Sequence, residues 1–329
     1  MNDTFGVLDL GSNSFHLVIS EYHDNLFRKK YKKKEYTYLG SGLKPDGTIE
    51  AKLADKSIQA LDSFKVNIEE QNPTFLKVIA TNSFRRISDY DFLTQSEKAL
   101  GNKINIITPL EEANLIYQGV THTTEINYKN FYIIDIGGSS SEVITVKDKK
   151  LTNLASFQFG SSTINNYFFD IGDIKRQWYK ACFHVFNEIN KSSDSASLQG
   201  KYVYRGSENK AIDKLLIHSN DNIAFGGSGT IKAVHKTLKA ILIDQDEIDI
   251  SKIDYLVQIL LNQHDKVYDS DFKKITSVIN PERLKVFLAG LSILHSLMVI
   301  LDISILSRAN GALREGAMYE LLKDSNIKS

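Results

Sequence analysis

The feature that most limits what this chain can fold into is an internal repeat. The stretch Leu8-Asp9-Leu10-Gly11-Ser12-Asn13-Ser14-Phe15 lies without a gap against Ile134-Asp135-Ile136-Gly137-Gly138-Ser139-Ser140-Ser141, with Asp9 and Asp135 126 residues apart. Solenoid repeats recur every ~20–50 residues, so this period indicates a duplicated domain. In each copy an apolar run ends in Asp, passes through a turn of Gly and hydroxyl residues, and continues as a second apolar run, which reads as strand, turn, strand. A chain of 329 residues allows about 150 per domain, enough for two separate cores. The polar stretch from His122 to Asn127 places the boundary between about Thr121 and Asn130.

Strands are predicted at Phe5 to Leu10, Phe15 to Ser20 and Leu26 to Tyr31, and a helix from Thr48 to about Glu70, where Ile49, Leu53, Ile58, Leu61, Phe64 and Ile68 keep helical spacing. A strand (Leu76 to Ala80), a helix (Ser88 to Leu100), a strand (Ile104 to Ile107) and a helix opening at Glu111 or Glu112 complete the first copy. The second is predicted to hold strands at Ile133 to Ile136, Glu142 to Val146, Leu151 to Phe157 and Ile223 to Phe225. Its helices are expected at Asp173 to Ile189, Thr230 to Ile241, Ser251 to Asn262 and Pro281 to Leu301. A last strand, Ile303 to Leu306, and a helix, Ala312 to Lys323, end an α/β chain.

Composition removes several function classes. Hydrophobic residues at 42% and charged residues at 24% are ordinary for soluble globular domains and disfavour disorder or a membrane bundle. Forty basic residues balance forty acidic ones, so no global field draws a polyanion, no nucleic-acid partner is expected, and any anion site must be built locally. The opening MNDTFGVLDLGSN lacks the basic and apolar regions of a secretory signal. The single Cys182, between Ala181 and Phe183, reads as a small buried residue with no disulfide partner, and a cytoplasmic location is expected. The apolar run Val286 to Leu301 falls short of the ~20 residues a membrane span needs, so it is expected to be a buried helix, with no membrane partner. The run RKKYKKK, Arg28 to Lys34, is either a charged strand edge that blocks aggregation or a local patch for a polyanionic substrate.

The two Gly-hydroxyl turns carry the chemistry. Such a turn directs backbone N–H groups and hydroxyls into one concavity, since glycine tolerates positive φ and close backbone approach. The neighbouring Asp suits a hydrated hard cation that bridges to phosphate oxygens. A third cluster, Gly226-Gly227-Ser228-Gly229-Thr230, follows a strand and opens a helix, where free N–H groups favour an anion; it matches neither a Walker A loop nor GxGxxG. Glu111 and Glu112 open a helix, where acidic residues also simply complement the dipole. Glu142 follows the second turn and could reach the same cation or water as Asp135; His16 holds the equivalent place in the first copy and reads as structural. No cluster has zinc spacing and no Ser has a G-x-S-x-G context.

Taken together, VLDLGSNSFHLVI (Val7 to Ile19), ATNSFRR (Ala80 to Arg86), EEANLIYQGV (Glu111 to Val120), IIDIGGSSSEV (Ile133 to Val143), Gly226 to Thr230, ERLKVFLAGLSIL (Glu282 to Leu294) and NGALREGAMYE (Asn310 to Glu320) resemble the exopolyphosphatase / guanosine pentaphosphate phosphatase family of the actin-like ATPase superfamily. The resemblance covers nearly the whole chain. It implies two RNase H-like domains with an interdomain active-site cleft: 1–124, to which the final helix 311–329 returns, and 125–310. It implies Mg²⁺-dependent hydrolysis of a terminal phosphoanhydride, with inorganic polyphosphate or guanosine pentaphosphate as substrate. Glu112 would be the general base. Asp135 and Glu142 would position metal and water, with Asp9 a further metal ligand. Gly11, Ser12, Asn13, Ser14, Gly137, Gly138, Ser139, Ser140, Ser141, Gly227, Ser228 and Gly229 would grip phosphates, and Arg85 would neutralise phosphate charge.

Three departures from the family pattern stand out: Asn114 for the Arg of E-E-A-R, Ser139 for a Gly, and Ser141 for a Thr. Ser139 is expected to resist a glycine's φ, and the loss of the Arg bears on substrate affinity. The chain also ends soon after the helix of the ALREG motif, where longer members continue, which bears on processivity. The leading expectation is an exopolyphosphatase releasing orthophosphate, with RKKYKKK favouring polyphosphate; the alternatives are a guanosine pentaphosphate phosphatase, a sugar or acetate kinase, and a non-catalytic polyphosphate or alarmone sensor. Chain-length preference, metal identity and oligomeric state stay open, a homodimer among the options.

Overall fold

Three apolar runs separated by tight turns make the chain start as an antiparallel meander. In the computed structural model, which describes residues 3–44, 46–169, 172–191, 195–196, 203–204, 215–217, 222–242 and 247–325, these are β1 (Thr4–Leu10), β2 (Phe15–His23) and β3 (Leu26–Glu35). Asp24 and Asn25 join β2 to β3, both with positive φ, the two-residue turn whose twist matches a hairpin. β4 (Phe75–Ala80) and β5 (Asn105–Ile106) add in parallel, giving the order β3-β2-β1-β4-β5. Helices α1 (Ala51–Gln71) and α3 (Tyr90–Leu100) supply Leu61, Phe64, Ile68, Phe92 and Leu100 to a core with Leu8, Leu10, Leu17 and Ile19. Between β4 and α3 lies α2 (Asn82–Arg86), and α4 (Pro109–Thr123) follows β5.

The meander then recurs. β6 (Phe131–Ile136), β7 (Ser141–Lys147) and β8 (Lys150–Phe157) pair antiparallel, and the β7–β8 turn again places two residues, Asp148 and Lys149, at positive φ. Register repeats as well: Asp9 faces His16 and Leu10 faces Phe15 in the first meander, and Asp135 faces Glu142 and Ile136 faces Ser141 in the second. With the short β9 (Ser195–Ala196) and β10 (Val203–Tyr204), then β11 (Asn222–Gly226), β12 (Glu247–Ile248) and β13 (Ile303–Arg308), the described strands form a sheet in the order β12-β13-β11-β6-β7-β8-β10-β9. Its helices are α5 (Ser161–Ile164), continued by a π turn at Asn165–Phe169, α6 (Ile174–Lys191), α7 (Gly229–Ile241), α8 (Ile250–Leu261), α9 (Asp269–Val278) and α10 (Leu284–Ile300). The chain divides into two compact units, Met1–Thr123 with Gly311–Ser329, and Thr124–Asn310. The final helix, α11 (Leu313–Asp324), belongs to the first; residues 326–329 of the expected C-terminal helix lie outside the described ones.

Four differences from the sequence reading have physical reasons. β3 runs on to Glu35 through the lysines because an edge strand tolerates alternation: Tyr31, Lys33 and Glu35 are half-buried, Lys32 and Lys34 exposed. The five residues of α2 are too few to show a period. α9 buries only Ile275 and so carries no apolar stripe. The helical stretch Pro281–Ile300 is, at 20 residues, long and apolar enough to cross a membrane, so length does not exclude a span. Its burial against the second unit's core, on nearly all sides from Phe287 to Met298, explains the composition.

α4 and α11 cross with almost no side chain between them. A Cβ on Gly316 would fall 1.8 Å from the Leu115 carbonyl oxygen, and one on Gly119 1.9 Å from that of Ala312. Gly316→Ala or Gly119→Ala is therefore expected to force the helices apart at a cost of about 1–3 kcal/mol. Gly229→Ala, whose Cβ meets nothing within 4 Å, should leave stability nearly unchanged. Thermal melts of the three variants check this; equal melting for Gly316→Ala and Gly229→Ala would refute the close crossing.

Burial pushes the Cys182 thiol up to about 12, against a hydrogen bond with Ser296 that lowers it. At pH 8 the native thiolate is correspondingly scarce, and iodoacetamide should alkylate the folded chain about 10³-fold more slowly than the urea-unfolded chain, whose thiol titrates near 8.5. The native rate should climb as pH rises; equal rates at pH 8 would contradict the burial.

Candidate active site

The first unit holds its Gly-hydroxyl turn by its own carbonyls. Ser12 O accepts the Gly40 N–H at 2.7 Å and Asn13 O accepts the Tyr38 N–H at 3.1 Å, while Ser14 Oγ lies 2.9 Å from His16 Nε2. Asp9, at the end of β1, accepts a hydrogen bond from Arg314 Nη1 at 3.1 Å on Oδ2. Burial raises the Asp9 carboxyl above the ordinary carboxylate range; Arg314, and more weakly Lys34, pull it back. Register sets Asp9, His16 and Lys34 in one row across β1, β2 and β3. Arg314 had no role in the sequence reading, although its motif was visible. Its partner is more than 300 positions away and no local pattern announces the contact.

Glu111 and Glu112 separate cleanly. Thr108 donates from its N–H (2.7 Å) and its Oγ1 (2.8 Å) to Glu111 Oε2, and the Glu111 N–H donates back to Thr108 Oγ1 at 3.2 Å. This is a capping box with Pro109 at the first helical position, and it assigns Glu111 to the helix end. Glu112, one residue on, turns inward and is 6% exposed. Its Oε2 accepts from Arg85 Nη1 at 2.8 Å; the same nitrogen donates to the Ile107 carbonyl at 2.8 Å, and Arg85 Nη2 is buried without a partner. Asn114 is exposed and donates to the Leu110 carbonyl of its own helix.

In the second unit the turn repeats the first. A Cβ on Gly11 would lie 3.1 Å from the Ser14 carbonyl oxygen, and one on Gly137 3.1 Å from that of Ser140. Close approach, rather than positive φ, accounts for both glycines: neither they nor Ser139 lie in the left-handed region, so Ser139 takes its place without the expected strain. The carbonyls of Gly137 and Gly138 accept the N–H groups of Ser161 and Ser162, each at 2.9 Å, which fixes the turn. Ser139 and Ser140 are buried beside it, and Ser141 is fully buried with its hydroxyl donating to the Phe159 carbonyl at 2.8 Å.

Glu142, 2% exposed, accepts from Ser156 Oγ at 3.0 Å and stands opposite Asp135 across β6 and β7. Directly opposed side chains have Cβ atoms about 5 Å apart, which brings two carboxylates together. Among the described residues no group of three His, Cys, Asp or Glu side chains forms a metal cluster. The pair nevertheless fits Mg²⁺, which takes one or two carboxylates and completes its shell with water and phosphate oxygens. Asp9 fits less well, since a guanidinium already occupies it. In the third loop Ser228 caps α7, accepting the Ile231 N–H at 3.4 Å, and Thr230 Oγ1 donates to the Ile136 carbonyl at 3.3 Å. That bond ties the stretch Gly227 to Gly229 to the end of β6. β11 runs parallel to β6, so both present their carboxyl ends at one sheet edge, where α/β sheets bind ligands.

Comparison with known proteins agrees with this arrangement. Residues 18–325 match the model of the Ppx/GppA phosphatase family. A solved Ppx/GppA family member from Aquifex aeolicus superposes with a TM-score of 0.74 at 19% identity, covering 100% of both chains. An exopolyphosphatase from Cytophaga hutchinsonii superposes with a TM-score of 0.76 at 18% identity, covering 99% of this chain and 100% of that one. With the duplicated actin-like fold and a family match over nearly its whole length, the chain belongs to the Ppx/GppA phosphatase family, a family of hydrolases.

Proposed function

We propose that this chain is an exopolyphosphatase that hydrolyses the terminal phosphoanhydride of inorganic polyphosphate and releases orthophosphate. The observation that carries the reading is Glu112, a buried carboxylate held by Arg85 at the head of α4. Phosphoryl transfer to water needs an oriented nucleophile and charge stabilisation on the phosphoryl oxygens more than covalent help. A carboxylate has acceptor sites beyond the one Arg85 uses, so Glu112 can take the proton of the attacking water as its oxygen bonds to the terminal phosphorus. The bridging P–O bond then breaks, and the shortened chain leaves with the electron pair.

The turns Gly11 to Ser14 and Gly137 to Ser140 offer amides and hydroxyls to phosphate oxygens, and Arg85 and Arg314 supply fixed positive charge. A divalent cation held by Asp135 and Glu142 would neutralise phosphate charge when bound. Guanosine pentaphosphate is the second reading. Tyr38, 42% exposed and bonded through its N–H to the Ser12-Asn13 turn, gives it a specific footing, because an exposed ring can stack on a base.

Glu112→Gln keeps the shape of the side chain and removes the base, so kcat for phosphate release should fall about 10²–10⁴-fold with KM little changed. Retained turnover would refute the assignment. The same phosphate-release assay with polyphosphate and guanosine pentaphosphate decides the substrate: release from the nucleotide alone would overturn the leading reading. Chelation should abolish turnover and added Mg²⁺ restore it, while Asp135→Asn should raise the Mg²⁺ concentration needed for half-maximal rate; an unchanged metal requirement in that variant would remove Asp135 from the cation site.

A further inference from the structure

The basic run on β3 divides by what holds each side chain. Arg28 pairs with Asp24, Lys30 with Glu21, and Lys33 with Glu35 while also donating to Ser63 and Asn67 on α1. Their charges are engaged within the fold. Lys34 is placed differently: its Nζ lies 4.2 Å from the centre of the Tyr36 ring. Tyr36 stacks on Tyr38 with ring centres 5.9 Å apart and planes 20° from parallel, and Lys56 of α1 sets its Nζ 4.7 Å from the centre of the Tyr38 ring. Two ammonium groups thus sit on one tyrosine pair, one on each ring.

That pair is built into the phosphate turn. The Tyr38 N–H is bonded to the Asn13 carbonyl and the Gly40 N–H to the Ser12 carbonyl. Tyr38 itself holds φ 58, ψ 27, a left-handed conformation that a bulky side chain adopts only at a cost of about 1–3 kcal/mol, and such strain gathers at ligand clamps and active sites. At the other end of the stack Lys34 continues the row Asp9–His16, close enough to Asp9 to act on its charge. An exposed lysine ordinarily samples many rotamers, and seating it on an aromatic face lowers the entropy lost when an anion arrives.

We propose that Lys34 and Lys56, each seated on one ring of the Tyr36–Tyr38 pair, bind the phosphates that follow the terminal one and so make the enzyme favour long chains. The proposal rests on the hydrolase reading for where the terminal phosphate lies. The ligand chemistry is an oligophosphate tail, whether inorganic or attached to a nucleoside. A lone terminal phosphate held at the turn draws nothing from these lysines, whereas a longer chain meets them both.

The test compares kcat/KM on long-chain polyphosphate with that on tripolyphosphate, together with the affinity for long-chain polyphosphate, in the full chain and in Lys34→Ala, Lys56→Ala and the double variant, each checked for an unchanged melt. The long-to-short ratio should fall about fivefold per lysine, the worth of one solvated charge contact, and Lys56→Arg should restore it. A ratio unchanged in the double variant, with wild-type turnover intact, overturns the track and leaves the hydrolase standing. Failure of the wild type on both substrates overturns the hydrolase reading instead, and the binding measurement then decides: equal affinity in the double variant overturns the track, and weakened affinity supports it. With guanosine pentaphosphate as a third substrate, a Tyr38→Leu loss confined to the nucleotide would show a stacked base in place of a phosphate tail and overturn the proposal.

Discussion

The backbone contact between α4 and α11 at Gly119 and Gly316 is the constraint on which the first unit's chemistry depends. One helix carries Glu112 two turns before its glycine, and the other carries Arg314 two residues before its own. With any side chain at the crossing, the helices would separate by the width of a methyl group. Arg314 would then withdraw from Asp9, to which it now bonds at 3.1 Å. Past the crossing, the stack of His122 on Tyr319, with ring centres 4.4 Å apart, and the ion pair of Lys77 with Glu320 extend the same contact. The chain's last helix is thus part of its first unit. This explains why a motif so near the end, NGALREG, supplies a charge to the first strand.

How much of this could be read beforehand follows from where each signal resides. The strand–turn–strand openings were legible because two copies in one chain act as each other's control, and the register of Asp135 on Glu142 and Asp9 on His16 carries that agreement through to the pairing of backbones. The distinction between Glu111 and Glu112 was also present, in the Thr-x-x-Glu pattern of Thr108 to Glu111, a local signature of a helix start. What no reading of the chain could supply was the company of Asp9. Its guanidinium partner arrives through tertiary packing alone, as does the Phe159 carbonyl that takes the Ser141 hydroxyl. The short α2 and the polar α9 escaped notice for a different reason, since neither displays an apolar stripe long enough to repeat.

Ser139 illustrates a limit of reasoning from motifs. Its residue type departs from a glycine-rich pattern and predicts strain, yet its backbone is ordinary. The glycine that matters in the turn is Gly137, where the Ser140 carbonyl leaves little room for a Cβ. The cost of a substitution is set by the φ and the neighbours a position has, and glycine in a motif need not use its full freedom.

The two meanders also show how a duplicated scaffold acquires two chemistries. Both place an Asp at the end of the first strand, but the facing residue is His16 in one and Glu142 in the other. With Arg314 and Lys34 nearby, the first row gathers positive groups around a single carboxylate. In the second row, two carboxylates face each other and Ser156 donates to one of them. On the proposed reading the first suits the oxygens of a phosphate and the second a cation that neutralises them. A chain with no net charge can therefore bind a strongly anionic substrate, because its opposite charges are sorted into separate rows where a sum over the sequence shows only their cancellation.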